Sequence, residues 1–334
     1  MARQLRIEYA GACYHVMCRG NGGKSIYNDD HDRQTFLETL WECCKQTGWI
    51  VHAYVLMENH YHILLETPEA NLVAGMKWFQ GTYTQRYNAR HHQWGHLYQG
   101  RYKSLVIDDE DPVYFKTVGT YIHLNPVHSH IIDVEKQSVQ DYRWSSLSCY
   151  SLPPSKRPPA IMLSRVLESF YFKDTRAGRK AYLVWLQKRA VEELDPKSRQ
   201  RLAIERKSLK RGWYMGTEDF RDQLLSLIDK STSDNFRGDQ RREHGEYMAK
   251  EYIKNGLKSL QCSLSDIKEM PQNDIRKQAL VWLIKKNTVV TGEWIRKEID
   301  MGGKANISRA LHLFDHSKER DIIKIKKKMS KWTG

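Results

Sequence analysis

The chain has no run of about 18 apolar residues, so no membrane-spanning helix is expected. Its opening stretch, MARQLRIEYAGACYHVM, carries no long apolar segment, and a secretory signal is not expected either. Cysteine is scarce: Cys13, Cys18, Cys43, Cys44, Cys149 and Cys262 form no C-x-x-C pair and no zinc-like ladder. That argues against a disulfide framework and points to reduced, buried thiols in a cytoplasmic protein. There is no internal repeat. Proline is sparse, and four of the nine crowd into residues 151–159 (SLPPSKRPP). Acidic residues are the minority charge, 40 against 54 Lys and Arg, which leaves a formal net charge of +14 over 334 residues. Each Lys or Arg beside a phosphate releases condensed counterions, so the excess favours a nucleic-acid partner over a merely solvated surface. Association with the nucleoid is the corresponding expectation for location.

What is present reads as alternating strands and helices. Residues 14–18 (YHVMC) predict a short strand, closed by the turn-prone Gly20, Asn21, Gly22 and Gly23. Asp29 and Asp30 stand where a helix N-cap belongs, and Phe36, Leu37, Leu40, Trp41 and Cys44 follow at helical spacing. Residues 49–57 and 60–66 predict two strands of a hairpin around Glu58-Asn59. A helix over 71–89, a strand over 97–108 and a helix from Asp111-Pro112 to about Asn125 complete the order. The βαββαβ order suits an α+β, ferredoxin-like four-stranded antiparallel sheet with helices on one face. We expect this domain to span residues 1–150, with a proline-rich linker over 151–160. A helical connecting region over 161–230 and a helical DNA-binding region over 231–334 are expected to follow, with breaks at 231–238 and 271–273 and a basic tail at 324–331.

His60 and His62 are two apart on the third expected strand, so both rings point to one face and Tyr61 to the other. Two adjacent imidazoles can hold one divalent ion, although an H-x-H pair is equally compatible with structural histidines. Its setting, at the start of the apolar run Ile63-Leu64-Leu65, makes the polar rings demand partners. Tyr121 and Asn125 are four apart on a helix and share a face. A tyrosine oxygen can attack phosphorus and store the phosphodiester in a covalent bond. Asn125 would supply a neutral oxygen as third ligand to the ion. The chain has 18 tyrosines, most of them expected in core or rim, and Tyr114 on the same helix is the rival nucleophile. Gln99, Arg101 and Lys103 share strand parity and are candidate contacts to DNA phosphates. Trp78, Phe79, Tyr83, Arg86 and Tyr87 mix aromatic and basic character on one helix; Phe79 and Tyr83 are read as core.

Near the C-terminus, residues 294–314 read as a helix-turn-helix. Trp294, Ile295 and Ile299 give the first apolar face, Met301-Gly302-Gly303 the turn, and Ile307, Ala310 and Leu311 the inward side of the second helix. Lys304, Asn306, Ser308 and Arg309 would then face outward toward duplex DNA. A plain helical hairpin fits the same periodicity.

Several strings, in order over about residues 3–150, resemble the HUH single-tyrosine transposase family and its REP-associated branch. They are MENHYHIL at 57–64 and YIHLNPV at 121–127, with YQGRYK at 98–103, RGN at 19–21 and YRWSS at 142–146. The resemblance implies a ferredoxin-like fold in which His60, His62 and Asn125 hold Mg2+ or Mn2+. Tyr121 would be the nucleophile on single-stranded DNA, leaving a 5′-phosphotyrosine and a free 3′-hydroxyl. Short hairpin-forming repeats would be the substrates, and Arg19 and Arg143, carried on the last two strings, join the candidate DNA contacts. Glu58, Tyr61, His123 and His128 depart from the residues frequent there, none of them a catalytic group. The segment at 210–216 and the region up to Phe314 more loosely resemble C-terminal extensions of such proteins, akin to helix-turn-helix modules of replication initiators. The competing expectations are a non-catalytic DNA-binding regulator derived from a transposase and, third, an RNA-binding sheet protein, whose central strands would carry aromatics where this chain has histidines. A homo-oligomer is compatible with all three.

Overall fold

A computed structural model describes residues 6–195, 197–198, 212–227, 239–317 and 319–332. The chain divides into two compact units, residues 6–221 and a second built mainly from residue 222 onward. No helix among the described residues is long and apolar enough to cross a membrane. The break expected at 231–238 lies outside the described residues, as do Lys210 and Arg211.

The first unit is α+β. In chain order it contains β1 (Ala12–Arg19), α1 (Asp30–Thr47), β2 (Ile50–Leu56), β3 (His60–Thr67), α2 (Leu72–His91), β4 (Lys103–Ile107), α3 (Pro112–His123), α4 (Asn125–His128), α5 (Ser164–Glu168), α6 (Arg176–Glu192) and β5 (Tyr214–Met215). Local chemistry sets the boundaries. The Asp29 carboxylate accepts from the Asp32 N–H to start α1, and Gly48, in the left-handed region at φ 75°, closes it. Asp111 caps α3 through the Val113 N–H, with Pro112 in the first turn. That helix stops at His123: Leu124 leaves the helical conformation, and Pro126 has no N–H to donate to Ile122. Asn125 therefore opens the separate turn α4 instead of extending the Tyr121 helix.

The sheet order is β2-β3-β1-β4-β5. The first four strands pair antiparallel, and the short β5 adds parallel to β4. The expected four-stranded antiparallel sheet is thus five-stranded and mixed. Trp213, Tyr214 and Met215, expected in a C-terminal extension, pair with Val106 and Asp108 of the first unit. Helices also flank both faces, not one. On one side Phe36 of α1 and Phe79 of α2 stack around Tyr61 of β3. On the other, α3 lays Phe115 against His52 and Tyr121 against His62. The proline-rich stretch is not a free linker. Val51 donates to Ala160 O and Met162 donates to Val51 O, so the chain after the prolines runs along β2. Arg157, within that stretch, is buried and bonded to the Asp174 carboxylate.

The second unit is helical, with segments Asp239–Leu260, Leu264–Glu269, Ile275–Asn287, Gly292–Ile299, Lys304–His316 and Arg320–Met329. Ile253, Leu280, Ile284, Ile295, Ile299, Ile307 and Ala310 share one core. Thr291 caps helix Gly292–Ile299, and Asp300, with φ 50°, turns the chain toward Lys304–His316. Of the lysines expected as a basic tail, Lys324, Lys326, Lys327 and Lys328 lie on Arg320–Met329, which buries Ile322 and Met329.

Candidate active site

The site is built on the face of the sheet covered by α3. In the register of β1 with β3, Met17 stands opposite His62 and Arg19 opposite His60. Cross-strand partners share a face, so His15, His60 and His62 all point toward α3. Lys103 pairs with Met17 and lies on the same face.

His15 Nε2 lies 2.9 Å from His62 Nδ1, with the rings stacked at 5.0 Å. His60 Nδ1 lies 2.8 Å from the Asn59 Oδ1, and the His60 and His62 rings stand nearly perpendicular, 5.1 Å apart. Each of the two rings therefore has its Nδ1 engaged by a neighbour, which makes Nε2 the nitrogen that would meet a cation. Tyr121 packs edge-on to His62 at 5.3 Å between centroids and to His15 at 5.8 Å. Its other side meets the His128 ring at 5.9 Å, and His128 Nε2 is 2.8 Å from Glu193 Oε2 of the segment following α6. Asn125 is buried at the start of α4. Tyr114, the rival nucleophile, is two helical turns away, roughly 10 Å along the axis, near Asp108 and Asp111.

His15 was absent from the sequence expectations. It is fully buried, and desolvation lowers its pKa to about 3, so its ring is neutral. The signal that could have found it is a histidine inside an otherwise apolar strand, whose ring needs a polar partner across the sheet. His123, one of the positions that depart from the residues frequent in the family, is interior. Its Nδ1 is 2.6 Å from the Tyr182 hydroxyl and its Nε2 2.8 Å from Ser146 Oγ, which ties α3 to α6 and to the 3₁₀ turn Ser146–Ser151.

The expected DNA contacts are scattered. β4 begins at Lys103, so Gln99 and Arg101 sit in the preceding loop, exposed, where strand parity does not apply; the Gln99 N–H donates to Arg19 O. Arg19 is exposed and lies over the turn at Gly23. Arg143 is exposed, pairs with Asp30 at 3.1 Å and stacks on Trp144. In the second unit, Ser308 and Arg309 are exposed on helix Lys304–His316, which Lys304 begins. The Asn306 amide is directed inward to the turn, donating to Met301 O and Gln272 Oε1.

A second polar cluster occupies the opposite end of the same sheet face. Ligand atoms of Cys13, His52 and Glu66 lie within 4.8 Å of one another. The Arg165 guanidinium, 3.0 Å from Glu66 and 3.5 Å from Cys13 Sγ, already provides the positive charge there and also binds Asp109 at 2.7 Å.

Residues 9–125 match the family model of IS200-like transposases. Among solved structures, the chain is similar to a REP-associated tyrosine transposase bound to a REP hairpin, at 14% identity and a TM-score of 0.38, over 47% of this chain and 90% of that one. No curated protein matches the chain.

Proposed function

We propose, from the match of residues 9–125 to the family model of IS200-like transposases, that the first unit of this chain cuts and rejoins single-stranded or hairpin DNA through Tyr121. The observation that carries the reading is the packing of the Tyr121 ring against His62, on the sheet face that also bears His60. In the step, the Tyr121 oxygen bonds to phosphorus and the bond from phosphorus to the 3′-oxygen breaks. The phenolic proton ends on the departing 3′-oxygen. The product is a 5′-phosphotyrosine and a free 3′-hydroxyl, and rejoining is the reverse attack by a 3′-hydroxyl.

His60 and His62 would hold Mg2+ or Mn2+, with Asn125 as third ligand. The donor set fits a cation because each ring's Nδ1 already has a partner, and two imidazoles favour Mn2+ over the oxygen-seeking Mg2+. When bound, the ion supplies Lewis-acid polarisation of the phosphoryl group. The protein's own part is to orient the phenol and to exclude water around it: Tyr121, His62 and His15 are all buried. Arg19, Gln99, Arg101, Lys103 and Arg143 are the candidate phosphate contacts. The antiparallel order β2-β3-β1-β4 supports reading the sheet as ferredoxin-like with β5 appended. The exposed Ser308 and Arg309 support reading residues 292–316 as a helix-turn-helix for duplex DNA.

The test is a labelled single-stranded oligonucleotide pool carrying hairpins, incubated with Mn2+ and run under denaturing conditions. A covalent protein–DNA adduct is expected from the wild type and none from Tyr121→Phe. An adduct that survives Tyr121→Phe assigns the chemistry to another residue. Binding without cleavage in every metal would favour the regulator reading.

A further inference from the structure

We infer that His15 is a positioning residue that sets the tautomer and orientation of His62, and so decides whether that ring can take a cation through Nε2. The inference rests on reading His60 and His62 as cation ligands.

The two histidines of the pair are held differently. The neighbour of His60 is an amide oxygen, Asn59 Oδ1 at 2.8 Å, which can only accept. His60 is therefore fixed with its proton on Nδ1 and its lone pair on Nε2. The neighbour of His62 is another imidazole nitrogen, His15 Nε2 at 2.9 Å, which can accept or donate. One proton lies between them. If His62 Nδ1 carries it, His62 Nε2 bears a lone pair and can ligate, and the proton of His15 resides on Nδ1. If His15 Nε2 carries it, the proton of His62 sits on Nε2 and ligation there is blocked. Passing from the second form to the first moves one proton from His62 Nε2 to His15 Nδ1 and shifts the shared one across, with no net gain or loss.

The structure holds this contact firmly. His15 and His62 are on adjacent strands, with His15 opposite Leu64 and His62 opposite Met17, a diagonal that the register fixes. His15 is wholly buried, stacked on His62 and edge-on to Tyr121. Its Nδ1 is buried with no hydrogen-bond partner. That nitrogen is unsatisfied in both forms, as an N–H in the ligating one and as a lone pair in the other, so it does not choose between them. A cation arriving at His60 selects the ligating form of His62, and His15 is the residue that responds.

The experiment uses the full chain and Mn2+ alone, with free ion followed by electron paramagnetic resonance. The wild type is expected to bind one ion, and the double variant His60→Ala with His62→Ala to lose it; equal binding by the two would sink the cation reading itself. Given that binding, His15→Leu is expected to weaken it 10- to 100-fold, as removal of a ligand's orienting partner does. His15→Gln, whose side-chain oxygen can accept from His62 Nδ1, is expected to stay within about threefold of wild type. Unchanged affinity in His15→Leu overturns the inference, and so does a Gln variant as weak as Leu. Should His15→Leu fail to fold, 15N spectra of the wild-type imidazoles decide. A His15 proton found on Nδ1 at a Mg2+ concentration that displaces Mn2+ from the site supports the inference, and one that stays on Nε2 there overturns it.

Discussion

His123 offers a sharp test of how the interior of the first unit is wired. Ser146 Oγ accepts from the Tyr54 N–H and lies 3.3 Å from the Tyr54 carbonyl, to which it donates. His123 Nε2 then donates to Ser146 Oγ, and Nδ1 accepts from the Tyr182 hydroxyl. A second ring proton would point at a hydroxyl already acting as donor, inside a region without water access. Burial accordingly lowers the His123 pKa from 6.5 to about 3. In an unfolded chain the same ring takes up its proton near pH 6.5. Between 6.5 and 3 the unfolded state therefore binds more protons than the native one, and stability falls as pH falls through that window. At pH 5 the loss is about 2 kcal/mol, from 1.5 pH units at roughly 1.4 kcal/mol each. The assay is urea unfolding of wild type and His123→Gln at pH 7 and pH 5, read by hydrogen exchange in peptides from β1 and β3. The other histidines titrate alike in both proteins and cancel. The wild type should lose about 2 kcal/mol more than the variant between the two pH values, roughly 1 M in urea midpoint. Parallel losses in the two proteins would refute the buried-neutral assignment.

Three further predictions concern packing and the second unit. A Cβ on Gly75 would lie 2.1 Å from Trp49 Cζ2, and that indole is buried and pinned by its N–H to Asn71 Oδ1. Gly75→Ala should destabilise the first unit by about 3 kcal/mol, seen in thermal unfolding as a drop of roughly 6–12 °C; a change under about 2 °C would contradict the contact. Asn306→Ala should cost the second unit about 1 kcal/mol by opening the turn at Met301. Arg309→Ala should instead leave stability within about 0.5 kcal/mol while weakening duplex binding and lowering the log–log salt slope by about 1. Equal salt slopes would remove Arg309 from the interface.

Much of the first unit's element order could be read from sequence. The Asp29 cap, the helical spacing of Phe36, Leu40 and Cys44, and the Asp111-Pro112 start each state a local preference that packing did not override. What stayed hidden was non-local. The run SLPPSKRPP has a linker's composition, but Arg157 within it bonds to Asp174, and Ala160 and Met162, just past the last proline, bond to Val51 of β2. The two-residue β5 is too short to show alternation, and it joins the sheet across more than 100 residues of intervening chain. Asn125 and Tyr121 have helical spacing, but the sequence does not show that Tyr121 lies in the last turn of one helix and Asn125 opens the next, with Pro126 interrupting the hydrogen-bond ladder.

The second helical face and the missing histidine have one cause. His15, His52 and His62 point to a single side of the sheet, joined there by Glu66. Read as sequence, such polar residues among apolar strands suggest a side open to water. In the fold all three histidines are buried, and buried polar groups must find partners. Two of the partners come from within the sheet, His15 for His62 and Glu66 for His52. The layer that covers them adds a contact at each end, Arg165 of α5 to Glu66 and the Tyr121 ring of α3 to His62. The layer that shields the histidines from water is thus the same one that carries the tyrosine to them. A cover without Arg165 would have left Glu66 without its guanidinium partner, and an open face would have left the phenol in solvent. The polar stripe on β1, β2 and β3 and the helix bearing Tyr121 thus meet on one buried face, legible only once the register places His15 diagonal to His62.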